Sequence, residues 1–172
     1  RRVLFRSSKE RDVVCITKEI DFTSEAGLKL SMDSISGPED AIWLSCPCTG
    51  GSMWVHLNWH VGESTRQKIR MHWALIHRIW KSFEVVAEHA LRVGARVFVE
   101  WPRGCSYWRE PSVVSFLHAH NFNFADFDGC MYGLRAHGGS GDGMHIKKPW
   151  RVACSPNSSL PRFLNKRCDG SH

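Results

Sequence analysis

Hydrophobic residues recur with a helical period through the longest patterned stretch of the chain. Between residues 63 and 92, the apolar positions are separated alternately by four and three residues, which is the spacing of an amphipathic helix. These positions are Ile69, Trp73, Ile76, Trp80, Phe83, Ala87 and Ala90. Basic side chains occupy the opposite face, and Gly94 stands where a C-terminal cap belongs. We therefore predict one long helix over 63–92 whose tryptophans belong to the core.

Three short apolar runs predict strands. Residues 13–17 are rich in β-branched side chains, residues 41–44 are almost all apolar, and residues 96–100 end in Glu100. The continuous run at 41–44 is typical of a strand that is covered on both faces, as strands in parallel sheets are.

Helical segments alternate with these strands. Thr23 or Ser24 can cap a helix that extends to about residue 34. Pro111 opens another short helix over about 112–120. The phenylalanines at 122, 124 and 127 then begin a final region of strands.

The last part of the chain is predicted to add an antiparallel edge. We expect residues 131–135 and 150–154 to pair as a hairpin across the glycine-rich loop 137–143, and a closing helix over 158–167. The whole order predicts a single α/β domain whose sheet ends in an antiparallel hairpin.

The charge and cysteine content narrow the expected partners and compartment. With 23 Lys and Arg against 17 Asp and Glu, the formal net charge is +6, which favours polyanionic partners and nucleic acid first. Seven cysteines without the spacing of a small secreted scaffold predict an intracellular protein, the nucleus included. No apolar run is long enough to predict a membrane partner. Because Arg1 rather than Met begins the sequence, we expect a fragment of a longer polypeptide.

A polar, cysteine-bearing turn at residues 45–52 directly follows the run at 41–44. Open α/β sheets place their chemistry at the carboxyl ends of strands, and backbone N–H groups there lower a thiol pKa. Cys48 is therefore a candidate nucleophile. Two other interpretations stay open, namely an inert small hydrophobic residue and a redox or metal pair formed by Cys46 and Cys48. Cys-x-Cys without a second pair is a poor zinc signal, so no metal site is assigned.

Glu100 is the second candidate, because a carboxylate at the end of an apolar strand is costly to bury unless it is paired or used. Two sheet-end turns would then present a thiol and a carboxyl group to one cleft. The alternative is that Glu100 is only solvated or salt-bridged.

The order of these motifs resembles the cytosine-C5 DNA methyltransferases. Those enzymes carry a Pro-Cys nucleophile loop and a later Glu-Asn-Val loop, and here Pro47-Cys48 is followed by Glu100-Trp101-Pro102, so only the acid of the second loop is kept. The strings at 43–52, 99–105 and 146–152 are together similar to a group of dinoflagellate proteins found in retroelement-rich contexts.

The resemblance implies a Rossmann-like, S-adenosylmethionine-dependent methyltransferase-type sheet over 1–172 that lacks its first strand. It implies that Cys48 adds to C6 of a flipped cytosine, that Glu100 contacts N3 and the exocyclic amine, and that Arg151 touches the base or its phosphate. Covalent addition suits a thiolate, and a base inside a duplex must be extruded.

The resemblance also implies S-adenosylmethionine as the cofactor and DNA, or another nucleic acid, as the partner. Glu19 or Asp21 would be the ribose acid, and Pro47 would lie beside the cofactor. The glycine-rich turn of that family has no counterpart in residues 1–9, so either the turn lies in an upstream segment or the site is lost.

Two functions follow as hypotheses. One is a DNA cytosine-5 methyltransferase-like enzyme. The other is a non-catalytic nucleic-acid-binding domain of a retroelement protein, which keeps the fold without the chemistry. A redox or metal module at Cys46 and Cys48 is a third.

Overall fold

A single mixed sheet organises the computed structural model, which describes residue 13 and residues 20–171. Its strands are β1 (Ala41–Leu44), β2 (Arg96–Pro102), β3 (Asn123–Asp128) and β4 (Pro149–Cys154), in the order β1-β2-β4-β3. β1 and β2 are parallel, whereas β4 runs antiparallel to both β2 and β3. With its helices, this sheet makes the protein an α/β fold, as the sequence predicts.

The described helices are α1 (Glu25–Asp33), α2 (Trp54–Asn58), α3 (Glu63–Arg92) and α4 (Pro111–Ala119). Ser24 caps α1, since its hydroxyl accepts the N–H of Gly27 at 3.1 Å. Gly94 follows α3 with a φ of +82°, the left-handed conformation that glycine allows at a helix end. The predictions of α1, α3 and α4 are confirmed, whereas the sequence does not predict α2.

The main core lies between the sheet and the helices. Trp80, Phe83 and Ala87 of α3 are at most 2% exposed, and they belong to one cluster with Val97 and Val99 of β2. The apolar stripe of α3 is thus a core stripe, as its period predicts.

A smaller cluster lies on the opposite face of the sheet. Phe98, Val152 and Leu164 are buried there. The chain after β4 covers them with a single 3-10 turn, Leu160–Arg162. The predicted helix over 158–167 is therefore wrong, because the backbone N–H groups at residues 165 and 166 donate instead to the hydroxyl of Tyr132.

The predicted hairpin between 131–135 and 150–154 is also wrong. β4 pairs with β3, with Ala125 opposite Val152, and a 3-10 turn (Gly129–Tyr132) follows β3 directly. Residues 135 and 145 form only an isolated bridge. β4 therefore lies inside the sheet rather than at its edge. Its pairing with β3 adds Ala125 to the smaller cluster.

β1 is an edge strand of the described sheet and is covered on one face only. Leu44 is buried in the main core, but Trp43 is 39% exposed. The prediction of a strand covered on both faces is wrong, because the smaller cluster ends at Phe98, against which Trp43 packs with ring centroids 5.1 Å apart. The predicted strand at 13–17 falls outside the described residues, apart from residue 13.

Helices in the described part of the chain do not combine the length and the apolar composition that crossing a bilayer requires.

Candidate functional site

Parallel pairing of β1 with β2 brings their carboxyl ends to the same edge of the sheet. Leu44 lies opposite Val99, so the cysteine turn and Glu100 leave the sheet side by side, where α/β folds place their sites. Successive side chains of a strand point to opposite faces, so Glu100 lies on the face of β2 opposite to Val99 and Trp101, which belong to the main core.

Cys48 lies on the helix side of the sheet. It packs against the main core together with Cys46, whose sulfur accepts the indole N–H of Trp101 at 3.3 Å. The following 3-10 turn is equally close-packed: a Cβ on Gly51 would lie 2.7 Å from the sulfur of Cys105. Gly50 and Gly51 are thus buried against the core, while Ser45, Pro47 and Thr49 of the same turn are exposed.

Two thiols beside this turn, those of Cys46 and Cys105, are held in the neutral form. Burial raises the pKa of Cys46 to about 11 and that of Cys105 to about 12, so neither is a thiolate near neutral pH. Across residues 20–171, no three His, Cys, Asp or Glu side chains are grouped so that they could hold a metal ion. Cys46 therefore behaves as a small hydrophobic residue.

Glu100 lies on the opposite, more open face. Its Oε2 accepts the indole N–H of Trp43 at 2.9 Å. Burial raises the pKa of Glu100, while the bond from Trp43 and the charge of Lys148 oppose that rise. In the described residues no contact joins Glu100 to Cys48, so the structure brings their backbones to one edge and not their side chains to one cleft.

A second tryptophan shares the face of Glu100. The register places Val152 opposite Glu100 and Trp150 opposite Pro102, so Trp150 is a diagonal neighbour on the same face. The ammonium of Lys148 lies 4.1 Å from the centroid of the Trp150 ring. Glu100 is therefore flanked by an indole on each neighbouring strand.

An exposed arginine completes this edge. The backbone N–H of Arg103 donates to the carbonyl of Pro149 at 3.0 Å, which fixes Arg103 beside the start of β4. Both Arg103 and Lys148 have exposed side chains. We call the set Trp43, Glu100, Arg103, Lys148 and Trp150 the indole–carboxylate site.

Arg151 is directed away from this site. Its guanidinium binds both oxygens of Asp126, at 2.7 and 2.9 Å, and lies 5.0 Å from the Phe124 ring centroid. The hydrogen bond with Asp126 raises the pKa of Arg151. Arg151 lies opposite Trp101 in the sheet and stabilises the pairing of β3 with β4.

The implied cofactor residues are not gathered into a site. Asp21 is exposed, and its Oδ1 accepts the N–H and the hydroxyl of Thr23, which lowers the pKa of Asp21. Pro47 is exposed in the cysteine turn, and Glu19 lies outside the described residues. Binding of S-adenosylmethionine therefore stays a prediction.

The sequence reasoning missed the two tryptophans of the site. The sequence predicts Trp43 in a covered strand and Trp150 in a hairpin, and both lie in the strings that carry the resemblance, without a role in a site. The available signal was the alternation along β2, in which Val97, Val99 and Trp101 face the main core and therefore direct Glu100 to the other side.

A separate exposed apolar surface lies on and beside α2. Met53, Trp54, Leu57 and Val61 are each between 66% and 72% exposed. Among the described residues no carboxylate bonds to any of their side chains, so Trp54 offers an exposed indole without the acid that accompanies Trp43.

Comparison of the chain with protein-family models, with curated proteins and with solved structures finds no match. The likeness to cytosine-C5 methyltransferases and to the dinoflagellate proteins therefore stays a prediction, and the arguments about function rest on the geometry of the sheet edge.

Proposed function

We propose that this chain is a non-catalytic nucleic-acid-binding domain, which holds unpaired nucleotides at the indole–carboxylate site. The observation that carries the proposal is the exposed indole of Trp43 bonded to the half-buried carboxylate of Glu100. Stacking of a base on an aromatic side chain contributes about 1–3 kcal/mol and requires no particular sequence.

Charge supports the same function. The chain has a formal net charge of +6. Lys148 lies at the rim of the site and Arg103 directly follows β2 at the same sheet edge, and within residues 20–171 neither side chain is engaged in a salt bridge. Exposed cations beside an aromatic ring are the arrangement by which single strands are held, since the cations follow the phosphates while the ring stacks the bases.

The placement of the candidate nucleophile favours binding over catalysis. Cys48 packs towards the main core, and Glu100 projects from the other face. The two side chains thus leave the sheet edge on different sides, whereas stacking on Trp43 uses an indole that is already exposed.

Fluorescence anisotropy with a labelled oligothymidylate tests the proposal. The logarithm of the affinity for a single strand falls with the logarithm of salt by about 0.7 per neutralised phosphate. Two cations therefore contribute a slope of about −1.4, or about a sevenfold loss of affinity between 50 and 200 mM salt. The double variant Arg103→Ala/Lys148→Ala should lose this part of the slope.

A control variant removes a cation that is already paired. Lys29 bonds Asp33 on α1 at 2.8 Å, so Lys29→Ala should leave the salt slope unchanged. If the unmodified chain does not bind the labelled oligothymidylate at 50 mM salt, the proposed function is wrong.

A second candidate is the DNA cytosine-5 methyltransferase-like enzyme, which one observation favours: the parallel register places the Cys48 turn and Glu100 at the same sheet edge. Its methyl donor would be S-adenosylmethionine. An oligonucleotide containing 5-fluorocytosine, incubated with that donor, should then form a covalent adduct with the chain that Cys48→Ser abolishes. Intact mass without an adduct contradicts this candidate.

A further inference from the structure

We propose that the indole–carboxylate site selects guanine among unpaired bases. This inference rests on the proposed function and names the base that the site prefers. It follows from the hydrogen-bond capacity that Glu100 retains and from the donors that each base can present.

The carboxylate of Glu100 has unused hydrogen-bond acceptor positions. An ionised glutamate only accepts hydrogen bonds, and its two oxygens together offer about four acceptor positions. In the described residues one of these is used, by Trp43 on Oε2, and no donor contacts Oε1. Glu100 therefore keeps an acceptor on each oxygen, pointing from the open face of the sheet.

The four bases differ in the hydrogen-bond donors that their Watson–Crick edges present. Guanine presents two adjacent donors, N1–H and the N2 amine, on its Watson–Crick edge. Adenine and cytosine each present an amine beside a ring nitrogen that accepts, and thymine presents one N–H between two carbonyls. Guanine alone matches two carboxylate oxygens with two N–H groups, in the manner of a guanidinium, while each other base would bring a lone pair against the carboxylate.

Trp43 and Glu100 hold fixed positions relative to each other. The bond from Trp43 fixes the carboxylate, and both side chains stand on strands rather than on loops. One side of the Trp43 ring packs on Phe98, and the ring is still 39% exposed. The ring of Trp150 is already covered by Lys148. Trp43 is therefore the stacking surface, and Glu100 reads the edge of the base that stacks there.

The test uses labelled thymidine heptanucleotides with one variable base at the centre, measured by anisotropy at about pH 8 and low salt. A bidentate contact discriminates by about 1–3 kcal/mol, so a central guanine should bind about tenfold more tightly than adenine, cytosine or thymine. Hypoxanthine lacks the N2 amine and should lose most of that advantage. A 7-deazaguanine keeps both donors and should bind like guanine.

Two variants assign the preference to one carboxylate. Glu100→Gln replaces an acceptor with a donor and should abolish the guanine preference, so that a central guanine binds no more tightly than thymine in the same variant. Glu84→Gln is the matched control, because Glu84 also accepts an indole N–H, from Trp80 at 2.7 Å, but lies on α3. It should keep the preference. Circular dichroism verifies that both variants fold.

The outcomes separate the two claims. Equal binding of all heptanucleotides by the unmodified chain overturns the guanine inference and leaves the binding function standing. Binding of none of them overturns the proposed function itself. Loss of the preference in Glu84→Gln, or its survival in Glu100→Gln, shows that Glu100 is not the group that reads the base.

Discussion

Replacing Trp101 with alanine should lower the free energy of unfolding by about 3–5 kcal/mol, the usual range for a large aromatic residue removed from a core. Trp101 is 1% exposed. Its ring packs against those of Trp80, Tyr107 and Trp108, with centroids between 4.8 and 5.9 Å away. Urea denaturation followed by circular dichroism measures the change.

The loss should be large because no neighbour can fill the space. The ring of Trp101 connects α3 to the turn after β2, and its N–H also bonds the sulfur of Cys46. A total stability of about 5–15 kcal/mol is typical of a domain, so this one substitution removes a large part of it.

Trp54→Ala is the matched control. Trp54 is 69% exposed on α2, and substitutions at exposed positions usually change stability by no more than about 0.5 kcal/mol. Equal losses from Trp101→Ala and Trp54→Ala would show that the arrangement of the main core is wrong.

Replacing Trp43 with alanine should weaken oligothymidylate binding by about 5-fold to 150-fold, the equivalent of about 1–3 kcal/mol of stacking. The substitution removes the stacking surface and also the N–H that positions Glu100. Trp43→Phe keeps a ring without the N–H, so it should retain most of the thymine binding. Anisotropy titrations at constant salt measure both variants.

Trp54→Ala serves here too, because it removes an indole that is more exposed than that of Trp43 and lacks a carboxylate partner. It should leave the affinity within about twofold of the unmodified chain, as a side chain outside the contact does. A larger loss from Trp54→Ala than from Trp43→Ala would move the contact to α2.

Much of the fold could be predicted from local pattern. The alternating spacing of apolar residues in α3, the cap at Ser24 and the run at Arg96–Pro102 act over a few residues, and sequence shows such features directly. The position of β4 between β2 and β3 depends on pairing between distant segments, which no local pattern contains. The helix predicted over 158–167 does not form for a related reason. Backbone N–H groups of this segment donate to the hydroxyl of Tyr132, which is far away in sequence.

The candidate site could be predicted to the level of the sheet edge. The rule that chemistry lies at carboxyl ends of strands placed Cys48 and Glu100 together, and the parallel register of β1 and β2 agrees. Which side chains face each other depends on register and on where each face is covered. Trp43 contacts Glu100 because both lie on the same face of the sheet, a face that β1 leaves open in the described part of the chain.

The two functional hypotheses differ in how they use this edge. A methyltransferase needs the thiol of Cys48 and the carboxylate of Glu100 on one ring, and the structure directs them to opposite faces of the sheet. A binding domain needs only the exposed indole of Trp43, the carboxylate of Glu100 and cations nearby, and Lys148 and Arg103 lie at the same edge of the sheet. The geometry therefore supports the binding domain, and the covalent-adduct experiment remains the direct test of the enzyme.

Photocrosslinking tests the central claim most directly. An oligothymidylate carrying 5-iodouracil, irradiated with the chain and digested, identifies by mass spectrometry the aromatic residue against which the base stacks. Our account predicts that Trp43 carries the crosslink, and that Trp43→Ala removes it. A crosslink confined to residues 54–61, or one that is unchanged in Trp43→Ala, would contradict the placement of nucleotides at the indole–carboxylate site.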